Sequence, residues 1–295
     1  MNLFGLHHIS AIASSREDCV DFYGGLLGLS LIAEHDSGTI AFAPNDEQAG
    51  GVLSFAVTPG VACGVPGRGL VHRLQWEVDG PRALEHWRRR LEGAGVTVTA
   101  WLNGAGDPLA LRFADPDGLE HELTLPSAFV LSGAYPRKRT NAEADLAICA
   151  LAGVRAYAPA SVQSGDLLAG RLGFESCGEG AWRVGAGPEA VRYETDAPPP
   201  SRAVEGAGTV RHVAWSCRPG HERAWRQRVI GMGATVSRVI ECDGYNCFFF
   251  REPDGVLFGV ATRRRASIPA QLSFEPPRSA IPPRIARPIG ILAAA

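Results

Sequence analysis

Two stretches of this chain carry nearly the same phrase: Phe113-Ala114-Asp115-Pro116-Asp117-Gly118-Leu119-Glu120-His121-Glu122-Leu123 and Phe250-Arg251-Glu252-Pro253-Asp254-Gly255-Val256-Leu257-Phe258-Gly259-Val260. A chain that repeats a strand–turn–strand phrase is built from copied units, which restricts it to folds that stack or pair them. The copies differ at one position of chemical consequence, where Glu122 in the first is Gly259 in the second. A strand carrying a carboxylate beside strands carrying histidines is a common way to build a metal site. The missing side chain therefore bears on every functional expectation.

Apolar periodicity divides the chain into four units, each a short strand, a helix and two or three further strands. The first opens with Leu6-His7-His8-Ile9-Ser10-Ala11-Ile12. Its helix is expected from Ser14, where Ser14 and Glu17 have capping-box spacing, to about Gly24-Gly25. The second runs from Val71-His72-Arg73-Leu74-Gln75-Trp76 to Glu122, and the third, the most diverged, starts near Ile148 with a helix expected over 164–172. The fourth opens with Val210-Arg211-His212-Val213-Ala214-Trp215, and its Trp225-Arg226-Gln227-Arg228-Val229 echoes Trp87-Arg88-Arg89-Arg90-Leu91. Both of these helices run into glycines, Gly93 and Gly95 or Gly231 and Gly233, as helix ends prefer.

These boundaries give an N-terminal domain of units one and two at 1–125, a linker at 126–145, a C-terminal domain of units three and four at 146–265 and a proline-rich tail at 266–295. A hydrophobic content of 45% can fill a sizeable core, and a net charge of −2 without a basic stripe argues against nucleic-acid or membrane surfaces. The partner expected is a small molecule, with room left for a homo-oligomer. With no apolar run of about 18 residues and no signal-peptide pattern at Met1–Gly5, a cytoplasmic location is expected. Seven cysteines without a CxxC pair indicate reduced thiols, not a disulfide framework or zinc knot.

The His-His-Ile opening, Phe22-Tyr23 to Leu27-Gly28-Leu29, His212-Val213-Ala214 and the phrase from Phe250 to Phe258 together resemble the vicinal-oxygen-chelate superfamily, and within it the two-domain ring-cleaving dioxygenases that open hydroquinones and catechols. The resemblance spans roughly residues 4 to 263. It implies an α+β fold in which four βαβββ units form two paired-module domains with cupped mixed sheets, and a principal cavity between units one and four. It also implies an iron held by two histidines and a glutamate. It places the histidines on His8 and His212 and the glutamate on Gly259, and it sets an arginine and a tyrosine near the substrate on Cys242 and Phe249. His7 and Ser10 match the residues beside the first ligand.

Strand alternation puts His8 and Ser10 on one inward face, His212 on another, and Tyr245, Cys247 and Phe249 together on a third strand. His8 and His212 are the candidate metal ligands. Without an anionic third ligand they would hold Fe(II) or another divalent ion with reduced affinity, or line a cup that holds none. His7 and Tyr245 are the candidate acid–base pair, and Ser10, Phe55, Cys242, Cys247, Phe249 and Gly259 the candidate substrate contacts.

The expected function is an enzyme of this dioxygenase-like type working on an aromatic, quinone-like or polyketide-like molecule by non-oxidative chemistry: isomerisation, elimination, hydration or cyclisation. One alternative is an iron-dependent extradiol-type dioxygenase whose third ligand is replaced, for instance by Glu241 or Asp243. Another is a protein that sequesters a drug or metabolite. His72 and Glu122, at the ligand-equivalent positions of unit two, are expected to form a structural ion pair or hydrogen bond. Cys242 and Cys247 are expected to be buried apolar thiols, and His86, His121 and His221 to be exposed or to serve packing.

Overall fold

A computed structural model describes residues 1–35, 38–44, 51–104, 106, 108–126, 146–187, 190–242 and 244–262. The expected tail, and all of the expected linker except Pro126, lie outside the described residues. Unit one supplies β1 (Leu6–Ala13), β2 (Ser30–His35), β3 (Thr39–Ala43) and β4 (Val52–Val57), and unit two supplies β5 (Val71–Val78), β6 (Thr99–Leu102), β7 (Pro108–Ala114) and β8 (Glu120–Thr124). Unit three supplies β9 (Ile148–Tyr157), β10 (Glu175–Gly178), β11 (Ala181–Val184) and β12 (Val191–Asp196), and unit four β13 (Val210–Cys217), β14 (Ile240–Cys242), β15 (Tyr245–Arg251) and β16 (Leu257–Thr262). The fold is α+β, with every unit reading βαβββ.

The strands form two eight-stranded mixed sheets, ordered β14-β15-β16-β13-β1-β4-β3-β2 and β10-β11-β12-β9-β5-β8-β7-β6. Units one and four thus share one sheet, and units two and three share the other. Within each unit the first strand pairs in parallel with the last, and the units join through the antiparallel pairs β1–β13 and β5–β9. Within each sequence half the two units meet differently, through side chains packed between the sheets. Tyr23 of unit one lies 5.5 Å from His121 of unit two, and Tyr193 of unit three lies 5.2 Å from Phe258 of unit four, measured between ring centroids.

The repeated phrase explains part of that contact. Its turns, with Gly118 at φ 89° and Gly255 at φ 109° in the region that favours glycine, present a carboxylate to the helix entry of the neighbouring unit. Asp117 accepts from the Ser14 amide at 2.8 Å, and Asp254 accepts from the Ser161 amide at 2.9 Å. Ser14 is therefore engaged by Asp117, and Ser15 caps α1 (Arg16–Cys19) in its place by accepting from the Asp18 amide at 3.2 Å. The helix passes into a π-helical segment over Val20–Leu26 and ends at Leu26, next to the expected Gly24-Gly25. Unit three repeats this pattern, with α2 (Val162–Gly165) capped by Ser161 and a π segment over Asp166–Leu172. The helices of units two and four, α3 (Pro81–Gly93) and α4 (Glu222–Ile230), are regular and stop where their glycines predict.

Candidate functional site

The cup of the first sheet is centred on β1 and β13. Register puts Ser10 opposite His212 and His8 opposite Ala214, while between Leu6 and His8 the pairing skips a residue. That skipped residue is His7. A bulge of this kind bends the strand and re-aims a side chain, which is how two consecutive histidines both reach the cup. His7 Nδ1 lies 2.8 Å from His8 Nδ1, and His8 Nε2 lies 2.9 Å from His212 Nε2. Because a neutral imidazole carries one N–H, His8 in that state donates to one neighbour and accepts from the other. The three rings form a directional chain.

On the unit-four side, Phe249 pairs with Gly259, and Gly259 with Ala214. Tyr245, Cys247 and Phe249 project to the same face, where they cluster with Ile240, Leu257 and Ala261. The Tyr245 ring lies 4.8 Å from His7 and Phe249 lies 4.9 Å from His212, between centroids. On the unit-one side, Ser54 pairs with Ser10, and the small residues Ala33 and Ala41 form a second apolar patch. Ser54 was missed by sequence reading, although alternation along β4 would have found it. Phe55 turns the other way. It pairs with Ala11 and packs in the main core 4.8 Å from Tyr23, away from the histidines.

The polar side chains of the cup are buried. His8 and Ser10 have no exposure, His212 has 2% and Tyr245 has 4%, whereas His7 at 8% is the most open of the three histidines. Burial, helped by the nearby Arg211 and His7, lowers the His212 pKa to about 3. At neutral pH its imidazole is uncharged, and it can relay a proton only by giving one up as it takes one. An open depression of about 840 Å³ lies elsewhere, along α3, lined by residues including Arg82, His86 and Arg89.

The two Nε2 atoms would suit a metal ion as a pair, since cis ligands with bonds of about 2.1 Å stand about 3.0 Å apart. The donor set stops there. A side chain at 259 would begin 3.0 Å from the Phe249 ring, which fills that direction. Glu241 is exposed and pairs with Asn246 on the opposite face of the hairpin, and Asp243 lies outside the described residues. Among the described residues no group of three or more His, Cys, Asp or Glu side chains could hold a metal. The residues present do not make the three-ligand iron site that the resemblance implies.

The second cup shows the complementary loss. Arg73 pairs with Glu120 and Leu74 with His121, so Arg73, not His72, holds the strand position that His212 holds in β13. Gly153 stands opposite Gln75 as His8 stands opposite Ala214, and Gln75 Oε1 lies 2.4 Å from where a Cβ at 153 would sit. Glu122 survives, but Arg112 donates to it at 2.6 Å and Gln75 at 3.1 Å, with Arg73 at 3.5 Å. His72 stacks on Tyr157 and bonds to Asp196 at 2.9 Å. The side chains here form an ion-pair and hydrogen-bond network in which Glu122 is held by Arg112 and Gln75, and His72 by Asp196, rather than by each other.

His121 is buried rather than exposed. Trp76 Nε1 donates to His121 Nδ1 at 3.0 Å, which leaves the proton of a neutral ring on Nε2, directed at Tyr23 Oη at 3.0 Å. Tyr23 in turn donates to Asp115 Oδ2 at 2.7 Å. Burial holds His121 down to about 3 and pushes Asp115 up to about 6. This chain ties the unit-one helix to the unit-two turn and does not reach the cup.

Residues 5–123 match the Glyoxalase/Bleomycin resistance protein/Dioxygenase superfamily model. The chain carries a domain of that superfamily. It is homologous over most of its length to "Putative ring-cleaving dioxygenase MhqO" of Bacillus subtilis, with 29% identity covering 88% of this chain and 84% of that protein. To the similarly described MhqA of the same organism it is 28% identical, covering 89% and 88%. A crystal structure of a Bacillus subtilis protein described as a dioxygenase superposes with a TM-score of 0.74 at 28% identity, covering 88% of this chain and 86% of that one. Glyoxalase I from Zea mays shares the fold, with a TM-score of 0.61 at 14% identity, covering 88% and 92%. The fold and the dioxygenase-like relationship thus agree with the sequence reading.

Proposed function

We propose that this chain is a dioxygenase-like small-molecule enzyme whose cup performs acid–base chemistry on an aromatic, quinone-like or polyketide-like substrate. The observation that carries this reading is the unbroken chain His7–His8–His212, at 2.8 and 2.9 Å, in a cup where the described residues assemble no three-ligand metal set. Ring nitrogens placed to share a proton can take one from a substrate at one end and return one elsewhere. His7, the most open of the three, is the base that meets substrate. The Tyr245 hydroxyl is the proton donor, and His8 with the uncharged His212 passes the proton along the chain. The apolar wall of Phe249, Cys247 and Leu257 faces the small residues of unit one across the histidines, which suits a flat ring better than a charged chain.

The test is anaerobic incubation in chelator with a panel of hydroquinones, quinones and phenolic ketones in D2O, read by mass spectrometry. Conversion or deuterium incorporation that disappears in His7→Ala and persists without iron is expected. Activity only with added iron and oxygen, matched by oxygen uptake and ring opening, overturns the reading.

The Nε2 spacing of 2.9 Å favours one second reading, an iron-dependent extradiol-type enzyme in which substrate oxygens complete the donor set. One iron per chain, lost in both His8→Ala and His212→Ala, would decide for it.

A further inference from the structure

We propose that Cys242 and Cys247 are a redox couple in the wall of the cup, oxidised by hydroperoxides to an intramolecular disulfide and restored by thiols. The two residues sit on the hairpin of β14 and β15, where Cys242 pairs with Tyr245 and Ile240 with Cys247. Both therefore project from the same face, diagonally across the hairpin. Their Sγ atoms are 3.6 Å apart. Cys242 pairs directly with Tyr245, and Gly244 between them takes φ 83°, so the strands are held together and the sulfurs stay close. A disulfide bond of about 2.05 Å requires a further approach of about 1.5 Å, within reach of side-chain rotation and a small shift of the short edge strand.

Exposure divides the roles. Cys242 is half-buried and open to a small oxidant, whereas Cys247 has no exposure and lies behind it. The Cys242 thiolate attacks one oxygen of the hydroperoxide and the O–O bond breaks, leaving a sulfenic acid and releasing water or an alcohol. Cys247 sulfur then displaces the hydroxyl, which leaves with the Cys247 proton as a second molecule of water. Two thiols have lost two electrons and the peroxide has gained them. The neighbouring Cys242 sulfur and burial both raise the Cys247 pKa, which leaves the first attack to Cys242. The sulfurs belong to the same cluster as Tyr245 and Phe249, so the disulfide would brace the wall that a substrate lies against.

The experiment uses the full chain with the exposed Cys63 and Cys177 both changed to serine, treated with hydrogen peroxide, unfolded and alkylated. Alkylatable thiols should fall from five to three. The tryptic peptide Val239–Arg251, which contains both cysteines, should be unalkylated and about 2 Da lighter, and dithiothreitol should reverse both changes. Cys242→Ser, at the half-buried position, should abolish the effect. A peptide about 32 Da heavier with Cys247 still alkylated, a bond to any other cysteine, or an unchanged peptide overturns the proposal.

Discussion

The Phe249 ring stands over Gly259: its Cε1 lies 3.0 Å from the point where a side chain at 259 would begin. The two residues face each other across β15 and β16, and the ring also packs edge-on against His212. The absence of a carboxylate from this part of the cup is therefore backed by a filled space. Gly259→Glu alone should destabilise the protein by about 1–3 kcal/mol, as overpacking does, and gain little metal affinity. Phe249→Ala combined with Gly259→Glu should bind Co(II) or Fe(II) at least tenfold more tightly than the parent by calorimetry. Tight binding in the single variant would show that the ring yields freely.

Removing the middle of the imidazole chain separates its two ends. His8→Ala should lower anaerobic turnover of any substrate found for the cup by about 10²–10⁴-fold, the range expected for a lost general acid–base step. A variant that retains full kcat would show that proton passage through His8 is not used.

In the second cup, Glu122 is committed to Arg112, Gln75 and Arg73. Glu122→Gln should leave the metal content of the purified protein unchanged by elemental analysis, and should lower the unfolding midpoint by stranding guanidinium groups. Loss of a bound metal in this variant would contradict the assignment of this cup as structural.

Acid stability should depend on the buried chain through His121 and Asp115. The His121 pKa is lowered to about 3, so its contribution is present above the unfolded value of about 6.5 and is lost as pH falls toward 3. The Asp115 pKa is raised to about 6, so its contribution is present below about 3.8 and is lost as pH rises through 6. Each changes stability by about 1.4 kcal/mol per pH unit, and between pH 4 and 6 the two oppose. Asp115→Asn removes one side of that balance. Relative to the parent it should lose about 1.4 kcal/mol for each unit from pH 6 to 4, measured by urea unfolding. A constant difference across that range would show that Asp115 does not titrate there.

The clamp between the repeated turns and the helix entries gives a fifth test. Asp254→Ala leaves the Ser161 amide without its carboxylate and should cost about 1–3 kcal/mol. Asp117→Ala should act similarly through Ser14, and a change below about 0.5 kcal/mol in either would show that the turns do not hold the helices.

The sequence by itself determined the four units, the glycine-ended helices and the two histidine-bearing strands, because apolar period and turn chemistry are properties of neighbours along a chain. It also made His8, Ser10 and His212 legible as one inward set. Tertiary structure decided what depends on a partner strand or a distant turn. The bulge that brings His7 beside His8 shifts the pairing without altering the residue pattern. The pairing of Ala11 with Phe55 turns that ring into the core. The offset of His72, by contrast, is already in the sequence, since Val71–Trp76 laid on Val210–Trp215 sets Arg73 against His212, and the strand register agrees. Asp117, about a hundred residues along the chain, takes Ser14 and leaves the cap to Ser15. Position 259 reads as a missing ligand in the sequence, and only the folded sheet shows Phe249 occupying the space, because that contact exists only once β15 and β16 lie side by side.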